Sequence, residues 1–254
     1  MELKFDQVGQ GPNLIIIHGL FGSASNFRTL AKQFGEFYTV YSLDLRNHGA
    51  SPHDDDVSFK AMAMDVIEFM DKHDIEQAAI MGHSLGGKVT MQIALNFPER
   101  VSKVIIGDIA PVKYPHHHDR IFDGLNAVMK ADVSSRKEAD QVLVDYIDIP
   151  AVRLFLLTNL SRTPDKSLVW RINVKGLEQG YEYITQKPVG TAYTGPSIFI
   201  RGELSDYVKE EYFPGIYELF PKAEIVTLEN AGHWLHAEKP KEYMEIALNF
   251  LKRT

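Results

Sequence analysis

Short β-rich runs alternate along the chain with segments of helical periodicity. The runs are "NLIIIHG", "YTVYSLD", "QAAIMG", "VSKVIIGD", "PSIFIRG" and "AEIVTL", and each ends at a glycine or a polar turn. Strand and helix in alternation predict a parallel sheet with helices on both faces. In "SFKAMAMDVIEFMDKHD", Phe59, Met62, Val66 and Met70 fall at helical spacing, with Ser58 placed to cap the N-terminus. The last segment, "KPKEYMEIALNFLKR", aligns Met244, Ala247 and Leu251 on one stripe and ends in basic residues, which the helix dipole favours there.

The alternation stops between Tyr114 and Tyr193, where "RIFDGLNAVMK" and "PAVRLFLLTNL" are helical and no parallel-sheet strand is evident. The expected organisation is therefore an α/β core built from residues 1–113 and 194–254, with a mainly helical insertion over residues 114–193. Composition agrees with one such folded unit. A chain of 254 residues, 44% hydrophobic and 24% charged, is long enough to bury a large core.

The formal net charge of −7 argues against a nucleic-acid partner. The N-terminal "MELKFDQVGQGPN" lacks an apolar targeting core, and the "LIII" run is far too short to span a bilayer, so a cytoplasmic protein without stable membrane insertion is expected. With no cysteine, disulfides, thiolate nucleophiles and zinc–thiolate sites are excluded. The adjacent His116, His117 and His118, and the acidic "HDDDVS", do not form converging ligand sets, so no metal or cofactor is expected.

"IMGHSLGGKV" carries two overlapping motifs of unrelated chemistry. As a phosphate loop it lacks the Ser or Thr that should follow Lys88, where Val89 stands instead. As a nucleophile elbow, Ser84 occupies a sharp strand-to-helix turn whose flanks, Gly82 and Gly86, let backbones pass. The rest of the chain favours the elbow. "NAGHWLHAEKP" sets His233 on a loop between the last strand and the last helix, where an imidazole can exchange a proton with Ser84. "IIIHGLFGS" follows an early strand, so the backbone N–H groups of Leu20 and Leu85 are candidate oxyanion donors, with Phe21 as the substitute for Leu20 and His18 bracing the loop.

Taken together, "HGLFGS", "LDLRNHGASP", "GHSLGGK" and "NAGHWLHAEKP" resemble the α/β-hydrolase superfamily, and "IGDIAPV", "FLLTNL" and "WRINV" resemble its YbfF-type and ABHD11-like acyl esterases. The resemblance covers essentially the whole chain. It implies an α/β-hydrolase fold and a serine esterase or thioesterase acting on small acyl esters or acyl thioesters, with a helical cap over a Ser-His-Asp site. In "RGELSDYV" the position where many of these enzymes carry the acid is Ser205, with Asp206 one place late; Asp108 in "IGDIAP" is the position the closer pattern suggests. Asp108 is preferred and Asp206 is the alternative. "LDLRNHG" is expected to brace the site. Phe21, Arg120, Arg171 and Tyr207 are candidate substrate contacts, the arginines for a charged substrate end. Carbon–carbon bond hydrolysis, cofactor-free peroxidase chemistry and a non-turnover receptor are the other uses of such a scaffold.

Overall fold

In the computed structural model, which describes residues 1–253, a seven-stranded sheet in the order β1-β3-β2-β4-β5-β8-β9 organises the chain. Thr254, the last residue of the second core segment, lies outside the described residues. The strands are β1 (Phe5–Val8), β2 (Asn13–Ile17), β3 (Thr39–Leu43), β4 (Ala78–His83), β5 (Val101–Gly107), β8 (Ser197–Gly202) and β9 (Ala223–Leu228). All neighbours pair in parallel except β1, an antiparallel edge strand on β3. The polar tetrapeptide "FDQV" carries no buried-strand signal, and the sequence pattern missed it.

Side chains on successive strand positions alternate between the sheet faces, and two hydrophobic clusters follow that parity. Ile15 and Ile17 of β2, with Ile80 of β4, pack beneath α2 (Phe59–Lys72) and α3 (Leu85–Asn96). Leu14 and Ile16, with Met81, face α1 (Arg28–Phe34) and α11 (Pro240–Lys252). Ser58 Oγ accepts from the Ala61 amide and caps α2, while Phe59, Met62, Val66 and Met70 are buried along its inner face. On α11, Tyr243, Ala247, Phe250 and Leu251 are buried and Met244 is at the margin.

Between β5 and β8 the chain leaves the sheet. This insertion contains α4 (Asp119–Lys130), α5 (Arg136–Leu143), α6 (Pro150–Leu157), α7 (Val174–Gln179) and α8 (Tyr181–Ile184). It also holds a hairpin of β6 (Leu160–Arg162) and β7 (Leu168–Trp170), which the helical reading of the segment did not anticipate. Three-residue strands separated by a polar turn leave too little alternation to detect. After β8 come α9 (Phe213–Leu219) and, following β9, the single turn α10 (Leu235–Glu238).

The insertion is tied to the core at both necks. The Tyr114 amide donates to the Thr185 carbonyl at 2.9 Å, joining the outgoing and returning chains. Lys88 Nζ on α3 then donates to the carbonyl of Val112 on one side and of Gln186 on the other, the latter at 2.9 Å. One turn further along α3, Gln92 exchanges hydrogen bonds with Val189 in both directions. The lysine that completes the apparent phosphate loop is thus a buried structural clasp.

Candidate active site

Ser84 joins β4 directly to α3 with φ 52° and ψ −116°, a conformation that L-residues adopt only under constraint. The flanking glycines explain how the turn closes. A Cβ on Gly82 would lie 2.1 Å from the Gly86 carbonyl oxygen, and one on Gly86 would lie 2.3 Å from that of Ile17. The Ser84 amide donates to the Gly107 carbonyl at 2.9 Å, fixing the turn against the end of β5.

His233, between β9 and α10, projects toward the same place. Its Nδ1 donates to Asp108 Oδ2 at 2.7 Å. Asp108 is fully buried at the end of β5, also at positive φ (48°), and accepts from the Gly202 amide at 2.9 Å and from the Ser205 hydroxyl. A buried carboxylate needs this many donors to remain charged. The alternative acid, Asp206, is turned to solvent with its side chain 93% exposed and pairs with Lys209 at 3.4 Å. Ser205 was visible in the sequence only as a residue where an acid could have stood; that its hydroxyl joins the Asp108 network depends on strand order, which brings the ends of β5 and β8 side by side. His233 is further fixed by the ring of Tyr207, stacked on it at 4.1 Å and 25°, whose hydroxyl meets His117 Nε2 at 2.5 Å.

Ser84, His233, Phe21 and Tyr207 line one cavity, walled on the insertion side by Ile121, Val152, Phe155 and Leu156. The Ser84 hydroxyl and His233 line the same cavity and are not hydrogen-bonded to each other among the described residues. Leu20 also lines the cavity, and its N–H has no protein acceptor among the described residues. Leu85 opens α3, so its N–H is one of the four that a helix start leaves free. Phe21 cannot replace Leu20 as a donor, because its amide is engaged by His48 Nε2 at 3.2 Å.

Two candidate substrate contacts stay away from the cavity. Arg120, exposed on α4, donates to the carbonyls of Tyr146 and Asp145 within the insertion. Arg171 donates to the Thr158 carbonyl. Both guanidiniums hold backbone of the insertion together, and neither lies among the residues lining the cavity.

The "LDLRNHG" segment forms a brace. Asp44 accepts from the Ala24 and Ala50 amides at 2.7 and 2.8 Å, Arg46 pairs with Asp65 at 2.6 Å, and Asn47 binds Asn173 of the insertion at 2.9 Å. His18 Nδ1 donates to the Gly19 carbonyl at 2.8 Å and its Nε2 accepts from the Leu45 amide at 3.1 Å. Burial keeps these imidazoles neutral, lowering His18 to about 4 and His48 to about 3. It does the same to His118 and His236, each to about 3, and holds His83 well below the usual range. The three adjacent histidines go separate ways: His116 to Glu182, His117 to Tyr207 and His118 to Tyr181. No group of three or more His, Cys, Asp or Glu side chains able to hold a metal ion occurs among the described residues. No helix there is long and apolar enough to cross a membrane.

Comparison with known proteins gives this geometry a context. Residues 12–240 match the family described as alpha/beta hydrolase fold. The chain is 36% identical to esterase YbfF of Escherichia coli, over 94% of this chain and 92% of that protein. It is 37% identical to the sn-1-specific diacylglycerol lipase ABHD11 of Mus musculus, over 94% of this chain and 81% of the relative. Among solved structures, a marine microorganism esterase superposes with a TM-score of 0.96 at 40% identity, covering 98% of this chain and 99% of that one.

Proposed function

This chain belongs to the alpha/beta hydrolase fold family, and from that premise we propose that it is a serine hydrolase of carboxylic esters, with acyl thioesters as a second substrate class. Its likeness over nearly the full length to an esterase and to lipases supports the reaction class. The observation that carries the mechanism is the 2.7 Å hydrogen bond from His233, which lines the same cavity as the strained Ser84, to the buried Asp108.

In this mechanism Ser84 Oγ attacks the ester carbonyl while His233 Nε2 takes its proton. Asp108, accepting from Nδ1–H, holds the imidazole in the tautomer that leaves Nε2 free and stabilises the imidazolium once it forms. The N–H groups of Leu20 and Leu85 receive the developing oxyanion. His233 then protonates the departing alcohol or thiol, and a water it activates releases the acid from Ser84. The insertion over residues 114–193 acts as the cap. Its apolar wall, Ile121, Val152, Phe155 and Leu156, accommodates the hydrocarbon part of the substrate and limits water around the acyl-enzyme.

The test is hydrolysis of p-nitrophenyl esters from acetate to palmitate, with one acyl-CoA thioester, by the wild type and Ser84→Ala. Turnover by the wild type that disappears in Ser84→Ala is expected. Retention of activity by Ser84→Ala, or a stable adduct on Ser84 without turnover, would overturn the reading in favour of other chemistry or a receptor.

A further inference from the structure

Beneath the Gly19–Gly22 turn the cavity lining changes from apolar to polar, where Asn26, His83 and His236 gather around Phe27. The tautomer of His83 is fixed by chemistry. Its Nε2 lies 2.7 Å from the His233 carbonyl oxygen, which can only accept, so Nε2 carries the proton and Nδ1 is a bare acceptor. That Nδ1 has no partner among the described residues although His83 is only 3% exposed. It faces the side of Gly19 that lacks a side chain: a Cβ there would stand 3.1 Å from Nδ1 and 3.3 Å from the Cβ of Ser84.

Asn26 supplies the opposite polarity. Its Oδ1 accepts from the Ser23 amide at 2.7 Å, which leaves the Nδ2 donor without an acceptor among the described residues. His236 closes the recess, stacked on Phe27 at 4.3 Å and 25° with its ring 4.8 Å from that of His83, and its buried Nδ1 has no partner among the described residues. Among the described residues no Lys, Arg, Asp or Glu lines the cavity, so neither a carboxylate nor an ammonium would find a counter-charge there. An alkyl group would leave the polar atoms stranded. A hydroxyl both gives and accepts one hydrogen bond.

We propose that this recess is a subsite for a neutral hydroxyl group carried near the scissile carbonyl, on the acyl or the alkoxy arm of the substrate. The proposal rests on the ester-hydrolase reading. Hydroxylated esters are therefore turned over in preference to their alkyl counterparts, because a site built to pair a hydroxyl rejects the analogue that leaves its polar atoms unsatisfied.

The experiment compares kcat/KM within two substrate pairs. For the acyl arm these are p-nitrophenyl 3-hydroxybutyrate and p-nitrophenyl butyrate; for the alkoxy arm, 2-hydroxyethyl butyrate and propyl butyrate. The enzymes are the wild type, Asn26→Asp, which keeps the acceptor for Ser23 but loses the donor, and His236→Phe, which keeps the stack on Phe27. One arm is expected to show a preference of roughly 10- to 100-fold for the hydroxylated ester, falling toward unity in both variants. Ratios near unity in both arms of the wild type overturn the proposal, as does a preference that survives both substitutions, which would mark the recess as a water site. Failure of the wild type to hydrolyse any of the four esters would instead overturn the hydrolase reading, and the subsite with it.

Discussion

Replacing Lys88 with methionine should remove a specific pH dependence of stability. The lysine is 2% exposed, and its ammonium meets two backbone carbonyls and the face of Tyr114 at 4.9 Å, with no carboxylate. Burial lowers its pKa from 10.5 to about 7. Between those values the unfolded chain holds the proton and the folded chain does not, so stability rises with pH across the window and is at its lowest below about 7. A difference of 3.5 units corresponds to about 5 kcal/mol between the two ends. Tyr181, which lines a small pocket together with Lys88 and Tyr114, is raised to about 12 and stays neutral throughout. Lys88→Met also strands the carbonyls of Val112 and Gln186, at about 1–3 kcal/mol each, but that offset does not titrate. Urea unfolding of both proteins from pH 6 to pH 10 separates the two effects. The wild-type advantage should grow by about 3–5 kcal/mol from the acidic to the alkaline end. Two stability curves that run parallel would refute the reasoning.

Other perturbations follow from contacts already described. Asp108→Asn should lower kcat about 10⁴-fold while Asp206→Asn, on an exposed side chain, changes it little; equal losses in steady-state assays at matched folded concentration would sink the assignment of the acid. Gly86→Ala places a Cβ 2.3 Å from the Ile17 carbonyl oxygen and should cost several degrees of Tm or prevent folding. Gly215→Ala, on α9 with nothing within 4 Å, should instead stabilise by about 0.5–1 kcal/mol, and thermal melts of the two variants check both signs.

The fold class was legible because each buried strand announces itself: "NLIII" and "VSKVIIG" are apolar runs ending where the sheet ends, and the parity of Leu14 and Ile15 assigns them to opposite faces. The elbow was legible for the same kind of reason, since Gly82 and Gly86 stand where any Cβ would strike backbone. What depends on which strand ends lie side by side was harder to read. Asp108 and Asp206 were both candidates because neither the positive φ of Asp108 nor the adjacency of β5 and β8 is written in local sequence. The same holds for the Phe21 amide, which His48, twenty-seven residues away in sequence, takes out of contention. Arg120 and Arg171 looked available to substrate because a sequence does not reveal that backbone carbonyls of the insertion already hold their guanidiniums.

The histidines around the site lead to a last prediction, about acid. His18, His48 and His83 are buried and His118 and His236 half-buried, and desolvation holds all five neutral, with the folded-state values pushed down to about 4 for His18, about 3 for His48, His118 and His236, and well below 6.5 for His83. In the unfolded chain each would titrate near 6.5. Between the two values the unfolded state binds the extra protons, so their contribution to stability is complete above about pH 6.5 and drains away as pH falls to about 4 for His18 and about 3 for His48, His118 and His236. Near pH 5 global unfolding should therefore take up roughly four to five protons from this group. Calorimetry in buffers of different ionisation heat measures the total uptake, in which carboxylates add to these imidazoles, and the slope of urea-derived stability against pH gives the same total independently. Uptake of one proton or fewer would show that these imidazoles are not held neutral. For the mechanism proposed above, the consequence is economy of charge: these neighbours do not compete near neutrality for the proton that the mechanism sends from Ser84 to His233, which is hydrogen-bonded to the buried Asp108 carboxylate.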